Sequence, residues 1–151
     1  MKKENTQPCC ALRLTPHFTL NEMVRSETAR RNHIDNTPSL AVVHNLQMLC
    51  LKVLEPLRKE FGPIHVTSGY RSEWLNRAVG GVARSQHLLG EAADIRVPNR
   101  KKGVEMMEFI FMTLEYDQLI LEHDLQGNEW IHVSYREEHN RGIMIPYYRG
   151  N

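Results

Sequence analysis

Ser85-Gln86-His87-Leu88-Leu89-Gly90-Glu91-Ala92-Ala93-Asp94 runs from a loop into a strand. Residues 91–97 read as that strand, stopped by Pro98. Asp94 then shares a face with Ala92 and Arg96, because alternate side chains point the same way. His87 arrives from the preceding loop. Gly90 permits a sharp turn between the two, and the alanines leave room beside Asp94. A second strand, Trp130–Tyr135, places His132 on one face with Trp130 and Ser134. If the two strands are neighbours, Asp94 and His132 converge above one side of a sheet. Two imidazoles and a carboxylate can hold one zinc ion and leave a fourth position for water, unlike the closed, thiolate-rich structural zinc sites.

A carboxylate that handles the proton of that water would complete a hydrolytic apparatus. Glu129, three residues before His132, is the first candidate. It cannot share the face of His132 in a regular strand, so the assignment needs the strand to begin at Trp130, with Glu129 in the bend before it. Glu122, ending the preceding strand, is the second candidate. Arg71 follows the turn Ser68-Gly69-Tyr70. A guanidinium there can hold a substrate carboxylate or steady an oxyanion, or be an ordinary surface residue. The single-helix zinc protease motif His-Glu-x-x-His is absent. The chain has eight histidines, so His44, His65, His123 and His139 are read as ordinary surface or edge residues.

Outward from this centre the chain reads as an α+β domain, helices stacked on one small, mainly antiparallel sheet. Residues 1–15 read as a flexible tail and 16–151 as a single domain. Thr19-Leu20-Asn21-Glu22 fits a capping box. Arg25–Arg31 is charged and solvated. Asn36-Thr37-Pro38-Ser39 starts the longest helix, Pro38 to about Phe61, with Pro38 in its first turn. Leu40, Val43, Leu46, Cys50, Val53, Leu54 and Leu57 form its apolar stripe, and Gly62 offers a left-handed cap. Residues 64–67 read as a strand, 73–79 as a short helix before Gly80-Gly81, and 104–114 as a second apolar-faced helix. Gln118–Glu122 and Trp130–Tyr135 read as antiparallel strands, and everything after Arg136 as irregular.

Composition sets bounds. A chain of 151 residues, 41% hydrophobic and 25% charged, is ordinary for a globular domain. A net charge of +1 with scattered basic residues gives no pull toward nucleic acid. No signal peptide or membrane span is read, so the expectation is a cytoplasmic chain as synthesised, with no membrane partner and a monomeric state. Three cysteines, Cys9, Cys10 and Cys50, do not suggest a disulfide framework.

The motif Ser-x-His-x-x-Gly-x-Ala-x-Asp, filled by Ser85 through Asp94, closely resembles the signature of the zinc D-Ala-D-Ala carboxypeptidase family. Trp130-Ile131-His132-Val133-Ser134 looks like that family's second signature, and Ser68-Gly69-Tyr70-Arg71-Ser72 like its arginine turn. Glu129 is placed as in the dipeptidase branch. His17-Phe18-Thr19-Leu20-Asn21-Glu22 and Asp117-Gln118-Leu119-Ile120 resemble a subgroup common in phages, whose glutamate often ends the preceding strand, here Glu122. The resemblance covers about His17 to Tyr135. It implies the hedgehog/DD-peptidase fold, one Zn2+ on His87, Asp94 and His132, an acid at Glu129 or Glu122, and Arg71 as anchor for substrate or intermediate. Ser85 joins Arg71 in substrate binding. The implied substrates are peptidoglycan stem peptides, cut by a carboxypeptidase or an endolysin-type endopeptidase, either one that reaches the wall through a phage lysis system or a phage structural or cytoplasmic enzyme acting on wall fragments. The bond stays open among D-Ala-D-Ala, L-Ala-D-Glu and a cross-bridge. The hedgehog signalling domain, which resembles the same family, supplies the alternative: a non-catalytic zinc-binding domain of the same fold, serving as a binding or phage structural module.

Overall fold

The computed structural model describes residues 12–149. Cys9, Cys10 and most of the expected tail lie outside them. The fold begins earlier than expected, because Arg13–Thr15 form strand β1 with Leu14 buried. Strand β1 pairs with β2 (Phe18–Thr19) in a small antiparallel sheet. Thr19 caps helix α1 (Leu20–Val24), and the Glu22 side chain accepts from the Thr19 N–H at 2.8 Å, completing the expected box. The charged segment after it contains a short helix, α2 (Glu27–Arg31).

The long helix is α3 (Leu40–Leu49), a π-helical turn (Cys50–Leu54) and α4 (Glu55–Phe61). It starts after Ser39, whose hydroxyl accepts from the Val42 N–H at 3.3 Å, so Pro38 precedes the helix rather than opening it. The π turn has a local cause. Pro56 has no N–H, and in an α-helix its ring would meet the carbonyl four residues back. Widening the turn, with the Glu55 N–H donating to the Cys50 carbonyl, relieves that clash. The buried stripe is Val42, Leu46, Leu49, Cys50, Val53, Leu54 and Leu57. Leu40 is exposed and Val43 only partly buried, which shifts the expected stripe at its first turn. Gly62 ends the helix at φ 81° and ψ −160°, positive in φ but extended. By length and composition Leu40–Phe61 could cross a membrane; here its apolar stripe is the centre of the core.

A five-stranded sheet lies against it in the order β3-β4-β6-β5-β7. These are β3 (Val66–Ser68), β4 (Ala92–Arg96), β5 (Gln118–His123), β6 (Glu129–Ser134) and β7 (Ile143–Arg149). All neighbours are antiparallel except β5 and β7. Helix α5 (Glu73–Ala78) links β3 toward the His87 loop, and α6 (Arg100–Thr113), capped by Asn99, packs on β5 and β6. The sheet divides its side chains cleanly. Ala93, Ile95, Leu119, Leu121, Ile131 and Val133 enter the core with Met106, Met107 and Ile110 of α6. Asp94, Glu122, Trp130 and His132 lie on the other face.

The carboxy-terminal segment is not irregular. Strand β7 runs parallel to β5, and a bulge leaves Pro146 and Tyr147 together opposite Leu121. Proline has no N–H for a ladder, which confines it to edges and bulges; β7 is both.

Candidate metal centre and cleft

The register of β4 on β6 sets Asp94 directly opposite His132. His132 Nδ1 lies 3.0 Å from Asp94 Oδ1, and His87 Nε2 lies 3.3 Å from the same oxygen. Ligand atoms about 2.0–2.2 Å from a tetrahedral zinc would stand roughly 3.3–3.6 Å apart; the His87 distance of 3.3 Å already meets that spacing, and the His132 distance of 3.0 Å needs only a small outward shift. The donor set is two imidazoles and a carboxylate within 4.8 Å of one another. It suits zinc with an open position.

His87 is prepared for that role. Ser85 caps the 3-10 turn Gln86–Leu89, its hydroxyl accepting from the His87 N–H at 3.2 Å. His87 Nδ1–H donates to the Gly69 carbonyl at 2.6 Å, which leaves Nε2 bare to face the metal. Gly69 can hold that carbonyl close because it has no Cβ; one would fall 2.3 Å from the Met23 carbonyl oxygen. After the turn, Gly90 takes φ 72°, with Val42 where a Cβ would go.

Burial pushes the Asp94 carboxyl up, but His87 and His132 outweigh it, and the group lies well below the usual carboxylate range. Arg71 reaches the other oxygen, Nη2 to Oδ2, at 3.3 Å. Its Nε donates to Ser68 Oγ at 3.0 Å and its Nη1 to Asn76 Oδ1 at 3.3 Å. Three of its five N–H donors are thus engaged. Asn36 braces the turn that carries it, donating to the Val24 and Tyr70 carbonyls and accepting from the Ser72 N–H.

His87, Asp94, His132 and Arg71 line a cleft of about 460 Å³ with Ser85, Gln86, Trp130 and Glu122. Glu122 is the Cα partner of Trp130, and its neighbour Ile120 pairs with His132. Its side chain therefore shares the site face. Burial, reinforced by the charge of Asp94, raises its pKa, against the pull of His132, Arg71 and Trp130. Such a carboxylate can both take and give a proton.

Glu129 is placed differently. It is the first residue of β6, already in register opposite His123, so the bend its assignment required is absent. Parity turns it to the opposite face of the sheet from His132, where Arg100 at the start of α6 binds it, Nε to Oε1 at 2.8 Å. The structure brings His87, Asp94, His132, Arg71, Ser85 and Glu122 to one cleft and leaves Glu129 outside it. Sequence reasoning missed Asn36, Ser68 and Asn76. In the sequence Asn36 reads only as part of a helix start, and a buried asparagine near Gly80-Gly81 carries no signal of spacing.

A family model for peptidase M15 matches residues 16–134. The chain belongs to the peptidase M15 family. The match spans both histidines, the aspartate, Arg71 and both candidate acids, and it ends at the last residue of β6. No match is found among curated proteins. The M15 family is zinc-dependent, in keeping with the donor set of this M15 peptidase chain.

Proposed function

We propose that this M15 peptidase is a zinc metallopeptidase that hydrolyses peptide bonds in peptidoglycan stem peptides, as a D-Ala-D-Ala carboxypeptidase or an endolysin-type endopeptidase. The observation that carries the reading is the convergence of His87 Nε2, Asp94 Oδ1 and His132 Nδ1 in a cleft that also holds Glu122 and Arg71. One zinc ion held there would supply Lewis acidity toward a carbonyl and acidify water toward neutral pH.

The chain's own residues do the rest. The Glu122 carboxylate takes a proton from the attacking water and passes it to the leaving amine nitrogen. The N–H groups of Arg71 not bound to Ser68, Asn76 or Asp94 hold a substrate carboxylate or steady the charge that grows on the carbonyl oxygen. Ser85 serves the substrate indirectly, because its hydroxyl fixes the turn that presents His87. The setting we infer is wall cleavage by a chain made in the cytoplasm and released through a phage-type lysis system.

The test is incubation with peptidoglycan and with a muropeptide ending in D-Ala-D-Ala, followed by mass spectrometry. Untreated, chelator-stripped and zinc-restored protein are compared. Zinc-dependent release is expected, and the product masses name the bond. Stoichiometric zinc without cleavage would overturn the reading in favour of a binding domain.

A further inference from the structure

The cleft contains cations and acids that differ in one respect. Arg71 is committed to Asp94, Ser68 and Asn76, and Arg141 to the buried Asp117 through Nε and Nη2. Asp94 and Glu122 have roles in the site. Arg84 also lines the cleft and is exposed, yet it has no ion pair or side-chain hydrogen bond among the described residues. Among the described residues it is the arginine of the cleft left without a partner. Its backbone is fixed: the Ser85 N–H donates to the Val82 carbonyl at 3.1 Å, closing a turn around Arg84, and Asn76 Nδ2 donates to the same carbonyl at 2.9 Å. The backbone that carries this guanidinium is thus held three residues from His87, and the charge has no partner among the described residues.

The chain beyond the family match also reaches this cleft. Strand β7 lies entirely after residue 134. It is attached where the Arg141 backbone N–H donates to Asp117 Oδ1 at 2.9 Å and the Ile143 N–H to the Asp117 carbonyl at 2.9 Å. Register on β5 sets Tyr148 beside Glu122, and Tyr148 lines the same cleft with its side chain more than half exposed. A tyrosine offers a stiff apolar face and one hydroxyl at low entropic cost, which suits contact with a peptide.

We propose that Arg84 and Tyr148 form a substrate subsite in this cleft that selects a stem-peptide residue bearing a free carboxylate. Arg84 pairs with the carboxylate, and Tyr148 packs on the peptide beside Glu122. The inference rests on the peptidase reading for its substrate class.

The experiment measures binding by calorimetry on zinc-loaded protein carrying Glu122→Gln, so that the peptide survives. The probes are the pentapeptide L-Ala-γ-D-Glu-L-Lys-D-Ala-D-Ala and its amide, in which D-isoglutamine removes one charge. The acid form is expected to bind about fivefold more tightly, the size of one partly solvated ion pair. Adding Arg84→Gln should erase that preference and leave the amide's affinity unchanged, while Arg84→Lys restores part of it. Tyr148→Ala should weaken both forms, and Tyr148→Phe less so. Equal affinity for acid and amide, or a preference that survives Arg84→Gln, overturns the subsite, as does a failure to bind either peptide. The protein with Glu122 restored is assayed in parallel. Binding through Arg84 without hydrolysis by that protein would sink the peptidase reading and leave the subsite standing.

Discussion

The two faces of the central sheet are built from the same strands and do opposite work. On one, Ala93, Ile95, Leu119, Leu121, Ile131 and Val133 pack under the helices. On the other, one residue away in each strand, stand Asp94, Glu122, Trp130 and His132. A slip of one residue would exchange the sets. The aliphatic face therefore fixes the register that makes the polar face a site. Charged groups are costly to hold near the interior unless they have partners, and the metal-ligand cluster has them. Asp94 meets both histidines and Arg71, and His87 meets the Gly69 carbonyl.

The largest expected effect breaks the polar face alone. Glu122→Gln keeps the shape and loses the proton carrier, so zinc-dependent hydrolysis should fall by about 10²–10⁴-fold. Zinc content and thermal midpoint should stay at the parent's level. Retained turnover in a folded, zinc-replete variant would remove Glu122 from the chemistry. Next comes the aliphatic face. Ile131→Ala, between Trp130 and His132 but pointing into the core, should cost about 2–5 kcal/mol in urea unfolding. Zinc should still bind to the fraction that remains folded. A variant of full stability would mean that the register is held by something other than this layer.

This difference between faces also explains what was legible beforehand. The pairing of Asp94 with His132 followed from alternation and from the residue types in two short strands. The capping box at Thr19 and Glu22 followed from local chemistry. Three features depended on contacts between distant segments and left no periodic trace. Pro56 carries the π turn, but nothing in the stripe announced that the helix would widen rather than break. The stretch after Arg136 reads as basic and irregular from sequence; the order of β7 comes from β5 and from Asp117, a buried carboxylate far away in sequence. Asn76 and Asn36 position Arg71 through side-chain bonds to loops. That Glu122 lies in the cleft and Glu129 outside it depends on where β6 begins, and strand ends are where sequence patterns are weakest.

A smaller effect is expected where β7 joins the sheet. Burial raises the Asp117 carboxyl, but the hydrogen bonds and charge of Arg141 prevail, so its folded pKa lies below the ordinary value. A lowered folded pKa contributes stability above the unfolded value of about 3.9, and that contribution is lost as the pH falls through the folded value. Asp117→Asn should cost about 1–3 kcal/mol near neutrality. It should also flatten the loss of stability below about pH 4, read from urea midpoints across pH. An unchanged acid limb would show that Arg141 does not bind β7 through this charge.

The smallest effect is the sharpest contrast with the first. Glu129→Gln changes the same residue type seven positions along, on the opposite face of the sheet. There the carboxylate meets the exposed Arg100, whose guanidinium also lies 4.5 Å from the Tyr147 ring centre, and Tyr147 stacks on His123 at 4.2 Å. This corner pins α6 to β7 through a cation held partly in solvent. Losing the negative charge should therefore cost no more than about 1 kcal/mol, and hydrolysis per folded molecule should not change. High salt should reduce even that stability difference, because the exposed Arg100 guanidinium is screened. If Glu129→Gln instead abolished turnover while Glu122→Gln did not, β6 would have to begin one residue later in the working enzyme. That is the bend the sequence allowed and the strand register excludes.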